Sequence, residues 1–120
     1  MITGIAPQFL VDDLDRATAY YCDKLGFALD FEYESFYASV SRDGFAIHLK
    51  HGPPLADRER RRREEQLDAY VSVSGIHELF NDVTNRGANV CKPLEERPWQ
   101  TLDFYVEDAD GYILCFSERL

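Results

Sequence analysis

Apolar and polar positions follow two rhythms along this chain, and the same succession of rhythms occurs twice. Over residues 4–11 the period is two, with Ile5, Pro7, Phe9 and Val11 set against Ala6, Gln8 and Leu10, the pattern of a half-buried strand. Asp12 or Asp13 then offers a carboxylate to the free N–H groups of a helical first turn. Leu14, Ala17, Tyr20 or Tyr21, and Leu25 follow at helical spacing, and Gly26 can take the left-handed conformation that ends the helix. Strands are predicted at 27–33, 36–41 and 45–50, the last two joined by a hairpin turn at Arg42-Asp43-Gly44. The second round opens at 67–74, where Ala69, Val71 and Val73 oppose Asp68, Tyr70 and Ser72. A helix over 75–86 carries Ile76, Leu79, Phe80 and Val83 on one side. A short strand at 88–92, a loop over 93–98, and strands at 102–106 and 112–117 complete it, with a turn at Asp108-Ala109-Asp110-Gly111. A repeat of about 60 residues occurring only twice is no solenoid. It predicts an α+β fold of two βαβββ modules, about 4–50 and 67–119, joined by a linker at 51–66 within one domain, 1–120.

The alternation also assigns faces. Phe36, Ala38 and Val40, with Phe45, Ile47 and Leu49, belong against a helix. The opposite sheet faces then carry Gln8, Tyr37, Ser39, His48, Asp68, Tyr70, Asp103, Tyr105 and Cys115. That set is polar yet rich in tyrosine, whereas a solvated sheet face more often carries Lys, Glu and Thr. It reads as a curved face that holds a ligand, with a wet sheet surface or a dimer contact as the alternative. Trp99, the single tryptophan, sits between prolines and the next strand, either as a pocket lid that stacks on a planar ligand or as a core plug.

Composition narrows the function classes. Hydrophobic residues make up 45% of the chain and aromatics 13%, enough to build a core and too many for disorder. No apolar run approaches the length of a membrane span, and Met1-Ile2-Thr3 does not open a signal peptide, so a cytoplasmic protein with no membrane partner is expected. Cys22, Cys91 and Cys115 are odd in number and far apart, which excludes a disulfide framework and a CxxC zinc knuckle. Cys22 reads as a small apolar residue of the first helix. Thirteen Lys and Arg against 22 Asp and Glu give a net charge of −9, the wrong sign for general nucleic-acid binding. The run from Arg58 to Glu65 is the local exception. Its Glu59–Arg63, Arg60–Glu64 and Arg61–Glu65 spacings predict a self-neutralising connector, with a basic docking patch as the other reading. No glycine-rich phosphate loop, GxSxG elbow or HExxH helix is present.

Taken in order, Val11-Asp12-Asp13-Leu14-Asp15-Arg16-Ala17, Tyr20-Tyr21, Leu25-Gly26-Phe27, Arg97-Pro98-Trp99, Asp103-Phe104-Tyr105-Val106 and Asp108-Ala109-Asp110-Gly111-Tyr112 resemble the vicinal oxygen chelate superfamily, which includes glyoxalases, bleomycin-resistance proteins and extradiol dioxygenases. The resemblance covers nearly the whole chain and departs at Ala109, where proline is usual. It implies paired modules whose mixed sheet curls around a cleft, helices on the convex face, and a homodimer. It also implies where a metal would sit in metal-dependent members: Ala6 and His48 in the first module, Asp68 and Cys115 in the second. Ala6 has no donor atom, and Cys115 stands where members that move a proton carry a carboxylate.

Three functions follow from this pattern. The first is a metal-free protein that holds a cationic or aromatic small molecule in a dimeric cleft, as in the antibiotic-resistance branch. Its candidate ligand-binding residues are Gln8, Tyr37, His48, Asp68, Tyr70, Trp99, Asp103, Tyr105 and Cys115, no cofactor is required, and the −9 charge with Asp68 and Asp103 is expected to attract a cation. The second is a lyase, isomerase or dioxygenase with a divalent metal on His48, Asp68 and Cys115, or with Asp68 orienting the His48 imidazole for acid–base work. The third is a module that keeps the fold and acts through protein contacts. His48 alone also fits a hydrogen-bonded sheet histidine, and nothing in the sequence lowers the Cys115 thiol pKa toward a nucleophile's.

Overall fold

The computed structural model describes residues 1–120, which divide into two units, Met1–Ala56 and Asp57–Leu120. In the first unit, β1 (Gln8–Val11), α1 (Leu14–Leu25), β2 (Ala28–Tyr33), β3 (Tyr37–Arg42) and β4 (Phe45–His51) follow one another, and the strands lie in the order β1-β4-β3-β2. In the second, α2 (Arg58–Arg63) precedes β5 (Ala69–Ser72), α3 (Ile76–Asn85), β6 (Val90–Arg97), β7 (Thr101–Glu107) and β8 (Ile113–Arg119), in the sheet order β5-β8-β7-β6. The fold is α+β, and the βαβββ succession occurs twice. Each sheet is mixed: β1 with β4 and β5 with β8 are parallel, and the other pairs are antiparallel. No helix is long and apolar enough to cross a membrane.

Local chemistry sets the elements of the first unit. The Asp13 carboxylate accepts from the Arg16 N–H at 3.0 Å, closing the start of α1. Gly26 ends that helix at φ 72°, a conformation that a Cβ disfavours. Leu14, Ala17, Tyr21 and Leu25 form the buried stripe of α1, and α1 packs on β2, β3 and β4. Phe9, Val11, Ala38, Val40, Ile47 and Leu49 are buried, as the alternation requires. Phe36, just before β3, and Phe45, at the start of β4, stay exposed, contrary to their assignment to that face. Asp43 (φ 54°) and Gly44 (φ 84°) both take positive φ between paired Arg42 and Phe45, the two-residue turn that matches strand twist.

The second unit departs from expectation in two places. The predicted loop over 93–98 is mostly strand, because β6 runs from Val90 through Pro93 to Arg97. Pro93 has no N–H to give a ladder, but β6 is an edge strand with register breaks between Val90 and Lys92 and between Lys92 and Glu95, so the irregularity falls where the proline stands. The arginine run is the other departure. Of the three expected pairs four residues apart, only Arg60–Glu64 forms, at 3.1 Å. Arg58 and Arg62 reach instead to the buried Glu107 at 2.7 and 2.6 Å, and Arg61 turns inward onto Asp68. The segment read as a solvated connector is thus fastened to the second sheet.

Candidate functional site

In the first unit, strand register gathers the residues that face away from α1. Gln8 and Ser39 both stand opposite His48, on either side of it in the sheet. Gln8 Nε2 donates to the Tyr37 hydroxyl at 3.1 Å, and that hydroxyl lies 2.7 Å from His48 Nδ1. A register break between Leu29 and Phe31 leaves Asp30 as the extra residue of β2. Both Asp30 oxygens then accept hydroxyls of β3, from Ser39 at 2.9 Å and Ser41 at 2.6 Å. Phe31, paired with Ser39, stacks on Tyr37 with ring centroids 6.3 Å apart and planes 6° apart, and meets the His48 ring edge-on, also at 6.3 Å. Phe31 and Tyr33 remain 49% and 62% exposed. The outcome is an open aromatic shelf backed by a short chain of hydrogen bonds. Gln8, Tyr37 and His48 are brought together as expected. Phe31, Tyr33 and Asp30 were missed because simple alternation cannot reveal a bulge; the aromatic content of 27–33 was the available signal.

The corresponding face of the second unit is largely covered. Tyr105 and Cys115 pack with Ile113 in a buried cluster, joined by Leu67 and Cys91. Burial, with the Glu65 charge second, pushes the Tyr105 phenol up to about 12. Burial likewise pushes the Cys115 thiol up to about 12, with the neighbouring Asp103 adding to it. Asp103 is itself buried, and its Oδ1 has no hydrogen-bond partner. Over this cluster, Lys92 Nζ sits 5.7 Å from the Tyr105 ring centroid and 2.9 Å from Glu65. That hydrogen bond from Lys92 holds the Glu65 carboxyl below its usual range. Two expected residues do reach the surface. Tyr70 is exposed and donates to Ser117 at 2.7 Å, and Trp99 is exposed with the Arg97 guanidinium 4.7 Å from its ring, so Trp99 is not a core plug.

Asp68 has a different part from the one expected. One oxygen is ion-paired with Arg61, and the other accepts the Ile113 N–H at 2.8 Å. A carboxylate so engaged is poorly placed to attract a cationic ligand, and the expectation that Asp68 supplies that charge is corrected here. The metal set fares no better. Within neither unit do three His, Cys, Asp or Glu side chains gather as an ion needs. A thiolate from Cys115 would have to form against a pKa of about 12, and Asp68 would have to leave its partners. These residues do not fit a divalent metal. A shallow depression lined by Asp12, Asp13, Leu14, Asp15, Ser35 and His51 lies at the start of α1. The depression is open to solvent, and its Asp13 already caps the helix.

Comparison with known proteins agrees with this architecture. The family model described as the Glyoxalase/Bleomycin resistance protein/Dioxygenase superfamily matches residues 5–116. A bleomycin resistance protein of Geobacillus stearothermophilus is 26% identical over 128 aligned positions, covering 95% of each chain. Among solved structures, TioX from Micromonospora sp. ML1 superposes with a TM-score of 0.77 at 23% identity, over 98% of this chain and 99% of that one. The bleomycin-binding protein of bleomycin-producing Streptomyces verticillus, solved with copper(II)-bleomycin, gives 0.75 at 19% identity, over 97% and 95%.

Proposed function

The chain belongs to the glyoxalase/bleomycin resistance protein/dioxygenase superfamily, and from that premise we propose that it is a metal-free binding protein that holds an aromatic or cationic small molecule in a cleft completed by a second copy of itself. The observation that carries this reading is the shelf of Phe31, Tyr33 and Tyr37, half-open to solvent and backed by the Gln8, Tyr37 and His48 hydrogen bonds. Exposed aromatics in a fixed geometry are what a planar ligand needs, and the few polar groups beside them orient it. The bleomycin resistance relative supports the class of ligand. A second copy accounts for the exposure of Leu29, Phe31 and Tyr33 along the edge strand β2, which a lone sheet would leave open to unwanted pairing.

The metal-dependent alternative rests on a donor set that does not fit, as described above, and we derive no reaction from it. The test is calorimetric titration of chelator-treated protein with metal-free bleomycin and with copper(II)-bleomycin, alongside sedimentation velocity. Binding that survives chelation, falls at least tenfold in Phe31→Ala, and accompanies a two-chain species is the expected result. Binding restored only when zinc, iron, manganese or nickel is added back to the protein would overturn the metal-free reading.

A further inference from the structure

We propose that Gln8 and Tyr37 fix His48 as its Nε2–H tautomer, and that this N–H is the donor that reads a hydrogen-bond acceptor, a heteroaryl nitrogen or ring carbonyl, on a flat aromatic ligand lying against Phe31. The inference rests on the ligand-binding reading above and specifies which chemistry that face selects.

The direction of the hydrogen bonds follows from what each group can do. The Gln8 amide nitrogen only donates, so at 3.1 Å the Tyr37 oxygen is its acceptor. The other polar partner of the Tyr37 hydroxyl is His48 Nδ1 at 2.7 Å, and we assign the hydroxyl proton to that contact. A neutral imidazole that accepts at Nδ1 carries its hydrogen on Nε2. No group of the chain bonds to that second ring nitrogen. Asp30, the carboxylate on β2 beyond β3, is occupied by Ser39 and Ser41 and does not compete for it. Half-buried beside an exposed aromatic ring, the Nε2–H is a directed donor left for a ligand. A ligand offering a donor there would leave two hydrogens facing each other, and one offering only carbon would leave the N–H unpaired.

The inference is tested in two steps. In protein labelled with nitrogen-15 at histidine, long-range nitrogen–proton correlations at neutral pH are expected to show His48 with a bare Nδ1 and a protonated Nε2. The opposite tautomer overturns the inference before any ligand is added. Isoquinoline and naphthalene, equal in shape and differing by one ring nitrogen, are then titrated by NMR. Isoquinoline is expected to bind about three- to tenfold more tightly, the worth of one such hydrogen bond, and to move the His48 Nε2 signal. In Tyr37→Phe, which keeps the ring and loses the hydroxyl, that preference is expected to narrow, because nothing then holds the hydrogen on Nε2. Gln8→Leu, at an exposed position, is expected to narrow it without touching the ring stack. A preference unchanged in both variants overturns the relay. Equal binding of the two probes on the Phe31 shelf overturns the donor role and leaves the aromatic cleft standing. If neither probe moves the Phe31, Tyr37 or His48 signals, the cleft reading falls with it.

Discussion

Asp68 shows how one residue's role is decided by partners that the sequence does not display. Its assignment to the outer face comes from the alternation over 67–74, and the structure starts β5 one residue after it, at Ala69. Its engagement was not legible, because four consecutive arginines look alike in sequence and only folding selects Arg61, 8% exposed, as the one turned inward. Breaking a largely buried ion pair leaves an uncompensated charge, so Asp68→Ala is expected to lower stability by about 3 kcal/mol in urea denaturation. Ligand affinity of the folded fraction should remain unchanged; a variant as stable as the parent and weaker in binding would restore the cleft role. The cysteines allow a second check. Burial raises the thiol pKa of Cys115, Cys91 and Cys22, most strongly for Cys115, pushed up to about 12. At pH 8 almost none of Cys115 is thiolate, so iodoacetamide followed by mass spectrometry should leave it unlabelled in native protein and label it once urea unfolds the chain. Fast native labelling of Cys115 would contradict its buried, protonated state. His48 lies at the other extreme, since period-two patterning placed it, Gln8 and Tyr37 on one face, and the register then joined them.

At the scale of elements, helices and strands were legible from periodicity, and what fastens them was legible only in part. Asp13 precedes α1 and caps it from the adjacent position, a local event that sequence shows directly. The start of α3 has no such signal, because Gly75 carries no side chain. Its cap comes from β8, where the Glu118 carboxylate accepts from Ile76 N–H at 2.9 Å and Gly75 N–H at 3.2 Å. These two bonds, the one from Ile76 first, lower the Glu118 pKa from the ordinary 4.5. A carboxyl whose pKa is depressed in the folded state stabilises that state above its unfolded value, and the contribution disappears as pH falls through the folded value. Glu65, lowered by the Lys92 hydrogen bond, acts with the same sign. Stability is therefore expected to be level from neutral pH to about 4.5 as far as these two groups are concerned, and to decline below it. Glu118→Gln, measured by thermal unfolding across pH 2.5 to 7, should flatten part of that decline; an acid limb identical to the parent's would dismiss the cap. Pro93 carries the complementary lesson. A proline argues against a strand only where every N–H is needed, and the irregular edge strand β6 spares it that requirement.

For the whole molecule, the twofold βαβββ repeat was the strongest signal in the sequence, and the structure repeats the same strand order in each unit. Less legible was the asymmetry between the two outer faces: the first stays open around Phe31 and Tyr37, whereas Leu67, Glu65 and Lys92 close over the second. That difference depends on where residues 57–67 pack, which no local periodicity encodes. The molecule's net charge of −9 bears on both faces at long range. With Asp68 neutralised by Arg61, the proposed attraction of a cation rests on the summed field and not on one carboxylate. Such a field is screened over about 8–10 Å near physiological ionic strength, while stacking on Phe31 is indifferent to salt. N-methylacridinium and uncharged acridine, similar in shape and different in charge, separate the two contributions. Raising sodium chloride from about 20 mM to about 500 mM shortens the screening length several-fold, and the affinity of the cation is expected to fall several-fold while that of acridine stays nearly constant. Equal salt dependence of the two, measured by fluorescence titration above pH 8 where acridine is neutral, would mean that the acidic balance serves solubility alone and that the cleft selects its ligand by shape and hydrogen bonding.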